Sequence, residues 1–195
     1  MRNLLFLFSI LIVIILDHSC THHKTESYYN TLNENYIDIP GTRLSIIPPD
    51  GFKFMEYSPQ FLEENSNGKI LINDMPESYF NIIPMYSEEY FEDIPESTII
   101  SIKDIYINGY NGRELIIEET GNQKKYLLFF GNSEFCVSIA GIYLSEFEST
   151  IAKQIIESAR SAVYNPNKVI DQTEVLSYYI NTSGPKLAIA GATQN

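Results

Sequence analysis

Tryptophan is absent from this chain of 195 residues, and histidine and cysteine are nearly so. The three histidines, His18, His22 and His23, all stand near the N-terminus. The rest of the chain therefore has no imidazole for a Ser-His or Cys-His nucleophile, or for a histidine-bound zinc. The two cysteines are Cys20 and Cys136. With Cys20 acylated, as argued below, Cys136 has no intramolecular disulfide partner. Basic residues are scarce too: 13 Lys and Arg against 25 Asp and Glu leave a net charge of -12. That field repels phosphate backbones, excludes a basic stripe for nucleic acid and disfavours recruitment to anionic lipid by charge alone. No apolar run reaches the ~20 residues of a permanent membrane-spanning helix. The longest, Leu4 to Leu16, is broken once by Ser9.

What is present suffices for one folded domain. Hydrophobic residues make up 44% of the chain, and 14 Tyr and 11 Phe supply the bulk that the missing Trp does not, which excludes global disorder. A targeting segment precedes that domain. Arg2 and the amino terminus, the apolar run, then polar Asp17-His18-Ser19 before Cys20 follow the order of a signal peptide over residues 1–19.

This segment resembles the leader of bacterial lipoproteins. In those proteins a small residue, here Ser19, precedes a cysteine that becomes diacylated and begins the mature chain. Asp17 departs from the pattern, which has an aliphatic residue three places before the cysteine; Leu16 stands one place further back. The resemblance implies lipidation at Cys20, and two acyl chains suffice for stable anchoring. Residues 20–35, polar and aperiodic, are expected to form a flexible tether without secondary structure, and its His22-His23 pair is expected to be solvated linker rather than a metal site.

Residues 36–166 read as an α+β domain: an antiparallel sheet of about six strands covered by helices. Strands are expected at Arg43–Ile47, Lys69–Asn73 and Tyr79–Ile83, with a short helix from Pro59 to Asn65 after a Ser58 cap. Asn108-Gly109 and Asn111-Gly112 mark a hairpin between Ile99–Ile107 and Arg113–Glu119. Gly121-Asn122 and Gly131-Asn132 turn the chain into two further strands, so that four consecutive antiparallel strands result. Leu115-Ile116-Ile117 and Tyr126 to Phe130 are apolar on both alternating faces, so each face of the sheet needs a cover. Ser145 to Val163 supplies one, a helix with a Ser145/Glu148 capping box and an apolar stripe of Phe147, Ile151, Ile155, Ala159 and Val163. Residues 167–195 contain a second strand-like pair, Val175–Ile180 and Lys186–Ala190, a C-terminal hairpin or an incomplete second unit.

The order of these elements, with the lipoprotein leader, the Gly41-to-Phe54 opening and the NGYNGREL hairpin, resembles the PsbP-like superfamily, named for a lumenal photosystem II subunit and including many small lipoproteins of bacterial envelopes. The resemblance implies a PsbP-like sandwich and a role in binding or assembly. It carries no functional residues, because no residue motif matches.

Chemistry within the domain rests on carboxylates alone. Glu63-Glu64, Glu88-Glu89, Glu92-Asp93 and Glu118-Glu119 are neighbours in sequence, which satisfies neither a glycosidase pair across a cleft nor a calcium site, and they read as solvated surface. Cys136 reads as buried packing. No catalytic residue, cofactor or metal is expected. The segment Tyr79–Phe91 sets aromatics among acids, and Tyr86, Tyr90 and Phe91 are the candidate partner-binding residues; the competing structural role is to fold back as the sheet's second cover. The expectation is therefore a non-enzymatic, membrane-anchored envelope lipoprotein facing the periplasm or exterior and binding an envelope protein. The alternatives are a carrier or sensor of a small apolar ligand or sugar, which needs an open pocket between sheet and helix, and a carboxylate-only hydrolase.

Overall fold

The computed structural model describes residues 25–55, 58–92 and 94–170. The expected signal peptide, Cys20, the histidines and the C-terminal hairpin lie outside the described residues. The chain enters through β1 (Glu26–Tyr28), β2 (Ile37–Asp38) and β3 (Leu44–Ile46), then forms β4 (Lys53–Phe54), β5 (Gln60–Glu63) and β6 (Gly68–Met75). It crosses one face of the sheet as α1 (Tyr79–Ile82), a 3-10 turn over Ile83–Tyr86 and α2 (Glu88–Glu92). The strands β7 (Ser97–Ile107), β8 (Tyr110–Glu119), β9 (Gln123–Gly131) and β10 (Cys136–Leu144) follow. A 3-10 turn, a π turn, α3 (Lys153–Arg160) and β11 (Val163–Tyr164) complete the described chain.

Strands β7 to β10 form the expected run of antiparallel neighbours because their turns are encoded locally. Ile107 pairs with Tyr110 across Asn108-Gly109, whose φ values of 50° and 83° are those of a two-residue turn that matches strand twist. Asn111 and Gly112, also expected to serve the turn, lie within β8. Among the described residues the main sheet has eight strands in the order β1-β7-β8-β9-β10-β6-β5-β4, and a smaller sheet has the order β11-β3-β2. The expected count of about six is therefore too low. The additional strands β1, β4 and β5 are two to four residues long and are held by their neighbours rather than by an alternating pattern of their own.

Both faces of the sheet are covered. On one, Tyr126, Leu128, Phe130, Val137 and Ile139 pack with Leu44 and Ile46 of the small sheet and with Ile155 and Ala159 of α3. On the other, Leu115, Ile117, Phe129 and Cys136 pack with Tyr79 and Ile83. α3 comes so close at Gly141 that a Cβ placed there would lie 2.1 Å from Ile155 Cγ2, so only glycine fits.

Four local expectations are corrected. Pro59–Asn65 is not a helix: Gln60–Glu63 is β5, bonded to strands on both sides, with Phe61 turned into the core against Phe54. Tyr79–Ile83 is not a strand: the Ser78 hydroxyl accepts from Phe80 N–H, and a helical turn follows. The Ser145/Glu148 capping box is not formed, because Ser145 Oγ donates to Asn122 O and Glu148 pairs with Lys124; the single expected helix is a 3-10 turn, a π turn and then α3, and Val163 belongs to β11. Part of the expected tether is structured. β1 pairs in parallel with Ile105–Ile107, and Asn30 Nδ2 donates to the carbonyls of Arg160 and Ala162 at the end of α3. Arg160 is the last residue of α3, so its carbonyl has no partner within the helix and the amide supplies one, while the Ala162 carbonyl just beyond also accepts from Asn108 Nδ2.

A candidate protein-binding surface

The segment from Tyr79 to Phe91 is divided between cover and surface. Tyr79 is buried, and the Tyr86 ring lies on Phe129 with centroids 4.1 Å apart; burial raises the pKa of both phenols, that of Tyr79 to about 12. Phe91 is half-buried against the same cluster, 6.4 Å from Tyr86. Of the three candidate residues, then, Tyr86 and Phe91 pack inward and Tyr90 faces out. Tyr90 is 49% exposed, edge-on to Phe91, and Phe80 and Met85 on the same cover are exposed as well. An acid-rimmed amphipathic cover leaves these apolar groups to solvent because the helical turns are too short to bury more than one side.

Beside this cover runs a feature that sequence reasoning missed, the outer edge of β7. Strand β1 pairs only with Ile105 to Ile107, so from Ser97 to Asp104 no strand pairs with that edge among the described residues. A bulge between Ile99 and Ser101 leaves Ile100 without a partner in β8 and half-exposed, while Ile99 and Ile102 both reach the covered face. An open groove of about 390 Å3 lies between α2 and the start of β7, lined by Glu88, Phe91, Glu92, Ile94 and Ile99. Among the described residues no cation lies within 4.0 Å of Glu88, Glu92, Glu96 or Glu118, so this end of the edge is acidic as well as apolar. The only sequence sign of the edge was the run of isoleucines at 99, 100 and 102, which as a strand cannot all face one core.

The most buried carboxylates elsewhere are engaged structurally. Glu114 accepts two bonds from Arg160 and one from the Tyr126 hydroxyl, Asp74 accepts from the Arg43 guanidinium, and Glu63 accepts from Ser66 and Asn65. Among the described residues no three His, Cys, Asp or Glu side chains gather as a metal site, and no helix is long and apolar enough to cross a membrane. Cys136 is buried, and burial raises its thiol pKa to about 12.

No family model matches the chain, and no curated protein matches it. Among solved structures, LpqN of Mycobacterium tuberculosis, a protein involved in cell envelope biogenesis, is 9% identical with a TM-score of 0.50; the match covers 63% of this chain and 83% of LpqN. The described domain has an LpqN-like fold. The cyanobacterial PsbP of Synechocystis is also among the structural neighbours, at 9% identity and a TM-score of 0.44, covering 77% of this chain and 99% of that one. A protein of Bacteroides thetaiotaomicron is 12% identical with a TM-score of 0.42, over 70% of this chain and 50% of its own.

Proposed function

We propose that this chain is an envelope lipoprotein, anchored through acylated Cys20, whose domain is a non-enzymatic protein-binding or assembly module. The observation that carries the reading is the open β7 edge beside exposed Tyr90. Unpaired strand edges add an extended segment of another protein through main-chain hydrogen bonds, with neighbouring pockets reading its side chains. Here Ile100 and the groove beside Phe91 take apolar side chains, and Glu88 and Glu92 favour a basic one. The envelope role of LpqN supports the same reading for a domain of this fold.

The test is site-specific photocrosslinking in cells, with the photoreactive residue at Tyr90 or Ile100 and, as the control, at exposed Lys153 on α3. One protein adduct common to positions 90 and 100, absent at 153 and lost on Ile100→Lys, is the expected result. Equal adducts at all three positions, or none, would end the reading. In the same cells Cys20→Ala should accumulate unprocessed or soluble; processing and membrane attachment like the wild type's would remove the lipid anchor from the proposal.

A further inference from the structure

The free edge of β7 runs from Ser97 to Asp104, between the turn at Glu96, where φ is 77°, and Ile105, where Glu26 of β1 takes up the edge. The midpoint of that stretch falls between Ile100 and Ser101, at the bulge. In a regular strand alternate side chains face opposite ways, so Ile99 and Ile102 would point to opposite faces. The bulge reverses the alternation, and both join the cluster of Leu115 and Ile117. Thr98 and Lys103, next to them in the strand, therefore share the other face. Directly opposed residues of an antiparallel pair carry their side chains on one face. A second β7 turned about a twofold axis through the bulge meets that condition throughout: Ile99 stands opposite Ile102, Thr98 opposite Lys103 and Ser97 opposite Asp104 of the other copy. A bulge ordinarily blunts an edge against a straight strand, but not against its own twofold image.

Charge selects the same partner. One end of the edge is acidic: among the described residues no cation lies within 4.0 Å of Glu96 or Glu118, and Glu118 stands opposite Thr98 in β8. The other end carries exposed Lys103, whose one ion pair among the described residues is to exposed Glu26 at 4.0 Å. Antiparallel pairing sets each acidic end against the other copy's Lys103, whereas in-register parallel pairing would set acid against acid. Lys103 of one copy then lies two strand spacings of roughly 4.8 Å each from Glu118 of the other. Both are on one face with only Thr98 between them, a gap that the two long side chains span, and the twofold axis makes the contact twice. We propose that β7 takes the β7 of a second copy, joining two eight-stranded sheets edge to edge. The inference rests on the reading of this edge as a strand acceptor and names the strand; a foreign segment then binds by displacing the second copy.

The test is sedimentation equilibrium of the full chain in density-matched detergent, where a reversible dimer is expected. Lys103→Glu and Glu118→Lys, both at exposed positions, should each weaken it at least tenfold. The double variant restores the pair with its charges exchanged and should return to within threefold of the wild type. Lys153→Glu, at an exposed position on α3, is the control and should leave the affinity unchanged. A monomer at every concentration, equal weakening by Lys153→Glu, or no recovery in the double variant overturns the proposal. A monomer would remove the second copy alone, because a foreign segment at the edge is read separately by the adducts from positions 90 and 100.

Discussion

Arg160 grips the buried carboxylate of Glu114 with two parallel bonds, Nε to Oε1 and Nη2 to Oε2, each 2.6 Å. This joins the last turn of α3 to the middle of β8, with Tyr28 of β1 laid under the guanidinium at 4.7 Å. Arg160→Leu leaves Glu114 buried with Tyr126 as its remaining partner, a change expected to cost about 3–5 kcal/mol. Glu114→Gln leaves the half-buried guanidinium with some access to water and should cost less, about 1–3 kcal/mol. Urea unfolding of both variants checks the order, and equal or reversed losses would contradict it.

The contact between Gly141 and Ile155 gives a second expectation. Gly141→Ala forces α3 away from the sheet and should destabilise by about 1–3 kcal/mol. Ile155→Ala, which removes the clashing Cγ2 methyl, should therefore cost less in the Gly141→Ala background than in the wild type. Denaturant midpoints of the single and double variants decide, and simple additivity would show that the two residues do not meet.

Acid stability should depend on Glu63. Hydrogen bonds from the Ser66 hydroxyl and backbone lower its pKa from 4.5 to about 2. A carboxyl whose folded pKa is depressed contributes stability that is complete above its unfolded value and disappears as pH falls through the folded one. The contribution is therefore full above about pH 4.5 and lost towards pH 2. Ser66→Ala should flatten the pH dependence of the unfolding midpoint in that window and leave its slope near pH 7 unchanged. An unaltered acid limb would show that Ser66 does not hold the charge.

Cys136 is expected to resist modification in the folded protein. Its thiol is buried with a pKa raised to about 12, so thiolate is scarce at neutral pH. Peptide mapping after iodoacetamide treatment should find Cys136 unmodified in buffer and modified in denaturant. Rapid labelling of the native protein would place this strand in exchange with an open state.

The hairpins from β7 to β9 were legible because glycine and asparagine at 108, 109, 121 and 122 fix the turns locally; all four residues have positive φ. The cover by α3 was legible in the spacing of Ile151, Ile155 and Ala159. Short elements were not. Gln60–Glu63 is a strand only because β6 and β4 flank it, and Glu26–Tyr28 because the outer edge of β7 accepts it. At the candidate surface, composition identified the aromatic segment, but which rings turn inward depends on Phe129, which lies some forty residues on from Tyr86. The open edge of β7 is a property of strand order, marked within the strand only by the isoleucines at 99, 100 and 102.

The parallel pairing of β1 also has a mechanical meaning. Tension applied from the N-terminal side would reach the domain along the axis of β1, loading its bonds to Ile105–Ile107 in shear, all together, rather than opening them one at a time. Just beyond, Asn30 is tied to Asn108 and to the end of α3. A pull from that side therefore meets a short clamp first, and the other seven strands of the sheet are spared until the clamp gives way.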